Sequence, residues 1–219
     1  MKCVHCLQNL KEKTRDHVFP NSWYTDDTPS WVEKWTVPSC RVCNEKFGKL
    51  EQELFIKLAP CIDPDKAEAS GITDKLIKTF QERPHFLREL SKDLKPYSKD
   101  MKIFPGLGPY KGFPIESQKC IYGSWDLLIS VLEKIFRGVE YKLTRQYIED
   151  PYNLKIYHVY EEPELVKNLF QKNKKINFLG PGFKLERTSP DGMTRPALYK
   201  TTIWGTLVSY ASINEKQDT

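Results

Sequence analysis

Two Cys-x-x-Cys pairs, Cys3-Val4-His5-Cys6 and Cys40-Arg41-Val42-Cys43, stand near the start of the chain with 33 residues between them. Such a turn offers two thiolates to one ion, and four thiolates complete the closed tetrahedral site of a structural zinc. In a segment this short the metal replaces a hydrophobic core, so its binding free energy becomes folding free energy. Paired Cys-x-x-Cys zinc sites usually enclose about 15–20 residues. The longer insert here leaves room for a β-hairpin, with its first strand expected over 14–20. Zn²⁺ is then a staple at the base of the hairpin and not a reacting metal. Four cysteines satisfy the ion, so His5 is expected to be exposed in the knuckle loop.

The residues around the pairs carry a second pattern. Thr14-Arg15-Asp16-His17-Val18-Phe19-Pro20 lies between them, Asn44 follows the last cysteine directly, and Gly48-Lys49-Leu50-Glu51 comes behind. A helix is expected from Asn44 to about Leu58, with Phe47, Leu50, Leu54 and Leu58 as its apolar stripe. Asn44, Gly48, Glu51 and Phe55 form a neighbouring stripe. Gly48 costs about 1 kcal/mol against Ala inside a helix, which suggests a close neighbour such as the hairpin strand. Trp23, Trp31 and Trp35 read first as core packing, with base stacking by Trp23 or Trp31 as the alternative.

Taken together, the paired cysteines, Asp16-His17 and Asn44 resemble the HNH endonuclease family, the cysteine-pair branch of the ββα-metal nucleases. The resemblance covers about residues 1–60. It implies hydrolysis of phosphodiester bonds in nucleic acid, DNA being the expected substrate, with His17 as general base. It also implies that Asp16 and Asn44 hold a catalytic Mg²⁺ or Mn²⁺, in keeping with the preference of hard ions for oxygen ligands. Adjacent strand residues point to opposite faces, so Asp16 and His17 need a twist or bulge to converge on one phosphate. Many members place an Asn shortly before the third cysteine; this chain has Trp35 there, which leaves open how His17 is oriented. Glu51 either supports the metal site through a water or a lysine, or is solvated. Arg15, Arg41, Lys46 and Lys49 are candidates for phosphate contact, or solvated charges.

The remainder resembles nothing named. Residues 61–119 read as a charged helical segment interrupted at Pro84, then a Pro/Gly-rich linker containing Phe104–Pro109. Residues 120–219 read as an α+β unit. In it, a helix over 124–137 is N-capped by Ser124 and stopped by Gly138. It packs on antiparallel strands over 155–160, 182–188, 197–204 and 206–213, with a helix near 163–171 and a turn at Pro190-Asp191-Gly192. The fold class is therefore α+β, divided as 1–60, 61–119 and 120–219. His85 and His158 read as structural or surface histidines.

Composition excludes little. The net charge is +5, and the first 60 residues hold 9 Lys+Arg against 8 Asp+Glu, so no basic surplus marks the front module. No apolar run approaches the roughly 18 residues of a membrane span, and no signal-peptide pattern precedes Cys3, so a cytoplasmic location is expected. Cys61 and Cys120 then read as free thiols rather than a disulfide. Two alternatives stay open: an inactive zinc-stapled module that binds nucleic acid, and a toxin or phage-defence nuclease subunit needing a protein partner or self-association through 120–219.

Overall fold

The computed structural model describes residues 1–98, 114–121, 125–149, 154–157, 164–172, 175–180, 182–189 and 196–214. The chain opens on a tight knuckle. Leu7 takes a left-handed φ of 64°, its amide donates to the Cys3 carbonyl at 2.9 Å, and Lys2 pairs with Asn9 across the turn. The Val4 amide donates to the Pro38 carbonyl at 3.0 Å, tying the knuckle to the hairpin.

That hairpin consists of β1 (Thr14–His17) and β2 (Thr36–Ser39), antiparallel, with Thr14 opposite Ser39 and His17 opposite Thr36. The strand is shorter than the sequence suggests because Pro20 turns the chain into a short 3-10 segment over Asn21–Trp23. Helix α1 (Arg41–Leu58) begins three residues before Asn44. Cys40 is its N-cap, with Sγ accepting from the Cys43 amide at 3.4 Å, so the metal-ligand loop and the first helical turn are one structure. Gly48 has no close neighbour after all: a Cβ built there meets nothing within 4 Å.

Helices α2 (Ile72–Glu82) and α3 (Pro84–Asp93) occupy the expected helical segment, with Pro84 in the first turn of α3. Strands β3 (Leu94–Pro96) and β4 (Lys119–Ile121) pair antiparallel where a plain linker was expected; Phe104–Pro109 lies outside the described residues. Helix α4 (Trp125–Thr144) runs past Gly138, so Gly138 is not its stop. The helix ends where Arg145 adopts a φ of 62°, with its amide donating to the Tyr141 carbonyl. Ser124, the expected cap, lies outside the described residues.

The last part of the chain contributes β5 (Leu154–Tyr157), α5 (Glu164–Lys172), β6 (Lys175–Gly180), β7 (Phe183–Thr188), β8 (Ala197–Ile203) and β9 (Leu207–Ile213). They form one antiparallel sheet in the order β5-β9-β8-β7-β6. The expected antiparallel sheet with a long helix is thus present, with β6 as an unanticipated edge. His158 and Pro190–Gly192 lie outside the described residues. Burial alternates along β8, with Ala197, Tyr199, Thr201 and Ile203 on the inner face, as a half-buried strand requires.

The core does not divide at residue 60. Phe19, just beyond β1, stacks on Phe183 of β7 with ring centroids 4.4 Å apart, and Trp23 packs on Trp204 at 5.0 Å. Phe55 of α1 meets the same Trp204 edge-on at 5.9 Å. Buried apolar side chains from all three sequence segments join one cluster. Among the described residues, no helix is long and apolar enough to cross a membrane.

Candidate functional site

At the base of the hairpin the Sγ atoms of Cys3, Cys6, Cys40 and Cys43 all lie within 4.8 Å of one another. A tetrahedral zinc with Zn–S near 2.3 Å needs sulfurs about 3.8 Å apart, and Cys6 and Cys40 are separated by 3.8 Å. These four residues could hold a metal ion such as zinc. Burial works to raise the Cys3 thiol, but the amides of Cys6, Cys40 and His5 outweigh it and bring the pKa to about 7. A thiolate-favouring nest of amides suits a metal ligand.

Behind this cluster sits a buried group of charges that the sequence did not reveal. His5 is not exposed: its side chain retains 2% of its surface, and Nε2 lies 2.8 Å from Asp16 Oδ2. Burial pushes the imidazole below its ordinary value against the pull of Asp16, so a neutral ring donating Nε2–H fits this contact. The other oxygen of Asp16, Oδ1, lies 3.3 Å from Nζ of Lys134 on α4. That ammonium is fully buried, stands 2.6 Å from Glu51 Oε1, and donates to the backbone carbonyl of His17. Desolvation works to raise the Asp16 carboxyl, yet His5 and Lys134 hold it below the usual range. For Glu51 desolvation wins and its pKa is raised.

Asp16 therefore does not occupy the position expected of it. β1 pairs regularly from Thr14 to His17, without the bulge that would turn Asp16 and His17 to one side. Asp16 faces inward at 5% exposure, with both carboxylate oxygens engaged by protein partners. A divalent ion held by Asp16 and Asn44 does not fit this arrangement, because Lys134 already supplies the cation. Glu51 is not solvated: it is paired with a lysine, as the second counterion of Lys134.

His17 and Arg15 share the opposite face of β1. His17 is half-buried and Arg15 exposed. Burial and then the nearby Lys134 charge lower the His17 pKa, which keeps its imidazole neutral at pH 7 and able to accept a proton. Asn44, in the first turn of α1, donates from Nδ2 to the Arg15 carbonyl at 3.4 Å and so stands beside the same strand.

The four basic candidates are all exposed, but they do not share a surface. At about 100° per residue around a helix, Arg41 lies on the Asn44 side, while Lys46 is turned almost to the opposite face. Lys49 is also turned away and lines a groove of about 470 Å³ against Phe86 and Leu90 of α3. Arg41 is paired with Glu45 at 2.7 Å. Lys34, overlooked in the sequence, is close enough for its charge to depress the His17 pKa and lies over the Tyr24 ring at 4.9 Å. Trp23 is buried and donates from Nε1 to the Glu51 carbonyl at 3.0 Å, so it does not stack on bases; Trp31 remains 74% exposed.

Compared with protein-family models, with curated proteins and with solved structures, the chain matches none.

Proposed function

We propose that the chain is a nucleic-acid phosphodiester hydrolase of the HNH kind, DNA being the expected substrate, with His17 as general base. The observation that supports this most is the placement of His17. It closes β1 of a cysteine-stapled hairpin that leads directly into a helix, and it is half-buried, with burial and Lys134 lowering its pKa, while its neighbour Asp16 turns inward. In the proposed reaction His17 takes a proton from water as the water oxygen attacks phosphorus, the bond to the departing sugar oxygen breaks, and that oxygen takes up a proton from solvent. Arg15, on the His17 face of β1, Lys34, whose charge reaches His17, and Arg41, on the Asn44 side of α1, would supply the phosphate contacts. A Mg²⁺ or Mn²⁺ ion would act as a Lewis acid in such a site, but the enclosure of Asp16 leaves only Asn44 of the expected ligand pair, and no step is assigned to the ion.

The enclosure of Asp16 also favours a second reading, a zinc-stapled module that binds nucleic acid without cutting it. One experiment separates the two. Supercoiled plasmid is incubated with wild type and with His17→Ala, each with and without Mg²⁺ or Mn²⁺, and binding to the same DNA is measured in parallel. Loss of a general base lowers the rate by about 10²–10⁴, so His17→Ala should bind but not nick. Equal nicking by both proteins overturns the role of His17. Binding without nicking by wild type supports the second reading.

A further inference from the structure

The buried ammonium of Lys134 reaches the hairpin from α4, 117 residues beyond the carbonyl it bonds. A lysine ammonium has three protons and accepts nothing. Its partners are two carboxylates, Asp16 Oδ1 at 3.3 Å and Glu51 Oε1 at 2.6 Å, and one backbone carbonyl, that of His17. Neutralising the carboxylates explains a buried cation, but it does not explain the third contact. His17 is the last residue of β1, and the amide of the same peptide unit, that of Val18, donates to the Trp35 carbonyl in continuing register at 2.8 Å. Lys134 thus holds the carbonyl side of a unit whose amide side is already held. A bond to the His17 carbonyl therefore fixes the peptide plane where the strand ends, and with it the direction of the His17 Cα–Cβ bond.

We propose that Lys134 is the positioning residue for His17, with Asp16 and Glu51 as its counterions rather than ligands of a divalent ion. The proposal rests on His17 being the general base. It answers how His17 is oriented in a chain that carries Trp35 before its third cysteine: the anchor comes from a helix outside the hairpin. Each partner has a part. His5 holds Asp16 from the far side at 2.8 Å. Glu51 is fixed by its helix and by Trp23, whose indole donates to its carbonyl. Lys134 joins both to the strand end.

The test uses the full chain with Lys134→Met, Lys134→Arg, and Lys134→Met combined with Glu51→Gln. Three readings are taken: nicking kinetics, the His17 ring signals in a proton–carbon spectrum against those of exposed His85, and zinc content. Lys134→Met should keep its zinc and lose about 10²-fold in kcat, the cost of a misplaced reacting group, with KM within about twofold. The His17 signal should move and that of His85 should not. Arginine keeps the charge and several donors, so Lys134→Arg should return activity to within about tenfold of wild type.

A folded, zinc-loaded Lys134→Met with unchanged kcat and an unmoved His17 signal overturns the proposal. So does a half-saturating Mg²⁺ concentration lowered by tenfold or more, roughly 1.4 kcal/mol of binding, which would make Lys134 a competitor for an ion at Asp16. Should the single variant not fold, the charge-balanced double variant carries the same readings. Absence of nicking by wild type overturns the hydrolase reading instead, and the His17 signal then decides alone whether Lys134 positions that side chain.

Discussion

Gly138 of α4 and Val18 of the hairpin meet so closely that a Cβ on Gly138 would lie 3.1 Å from Val18 Cγ2 and 3.3 Å from Cγ1. A glycine inside a helix costs about 1 kcal/mol against alanine. Here the cost is offset by bringing the α4 backbone against the strand end that Lys134 also reaches. Gly138→Ala should displace Val18 and lower stability by about 1–3 kcal/mol, as overpacking does. Thermal unfolding with zinc held constant measures it, and an unchanged midpoint would mean that Val18 yields freely.

Gly48 is the opposite case. It lies inside α1 with open space around its Cα, so alanine brings only helix propensity and a less flexible unfolded chain. Gly48→Ala should stabilise the protein by about 0.4–1 kcal/mol. Side by side, the two glycine variants should shift the melting temperature in opposite directions.

One zinc per chain should remain after dialysis without added metal, held by Cys3, Cys6, Cys40 and Cys43. Chelation or Cys43→Ser should release it and unravel the start of α1, because Cys40 is at once the N-cap and a proposed ligand. Elemental analysis combined with far-ultraviolet circular dichroism reports both effects. A folded, zinc-free wild type would remove the zinc assignment.

The cysteine spacing, the strand–strand–helix order, the broken helical segment and the antiparallel sheet were legible in the sequence because each has a local signal. The buried charges were not. Leu127, Val131, Lys134 and Gly138 recur at spacings of four and three on one side of α4, which meets the hairpin at Lys134 and Gly138. Lysine and glycine interrupt that stripe in any hydrophobicity reading, so only the other apolar face could be seen. His5 was misplaced for a similar reason: four cysteines satisfied the ion, and nothing local showed that Asp16 would fold back beneath the knuckle. Gly138 looked like a helix stop because a glycine's neighbour across the core has no signature in sequence.

Cys61 should be slow to react with thiol reagents. It donates to the Lys57 carbonyl at the end of α1, and burial raises its pKa from 9.0 to about 11. The thiolate is the reactive species, so alkylation should be weak at pH 8 and climb until pH approaches 11. The sign for stability follows. The unfolded thiol ionises first, so Cys61 favours unfolding progressively as pH rises above 9. Mass spectrometry after timed labelling tests the first statement, with Ser replacing Cys120 to remove its signal.

Residues 1–60 alone should not give a cooperatively folded module, even with zinc supplied. Excision would expose Phe19, Trp23 and Phe55, which pack on Phe183 and Trp204, and would strip Asp16 and Glu51 of their cation. A dispersed amide spectrum and a sharp thermal transition from the isolated fragment would contradict this expectation.

Lys134 has a consequence in time as well as in space. The cysteine knuckle can close as soon as Cys43 has left the ribosome, but Asp16 and Glu51 wait for an ammonium that follows His17 by 117 residues. At about 5–20 residues per second of synthesis, that wait is on the order of ten seconds, and the aromatic partners of Phe19 and Trp23 emerge later still. A nascent chain can thus carry its metal well before its histidine is held in place. On the proposed reading, cutting nucleic acid is something only the finished chain can do.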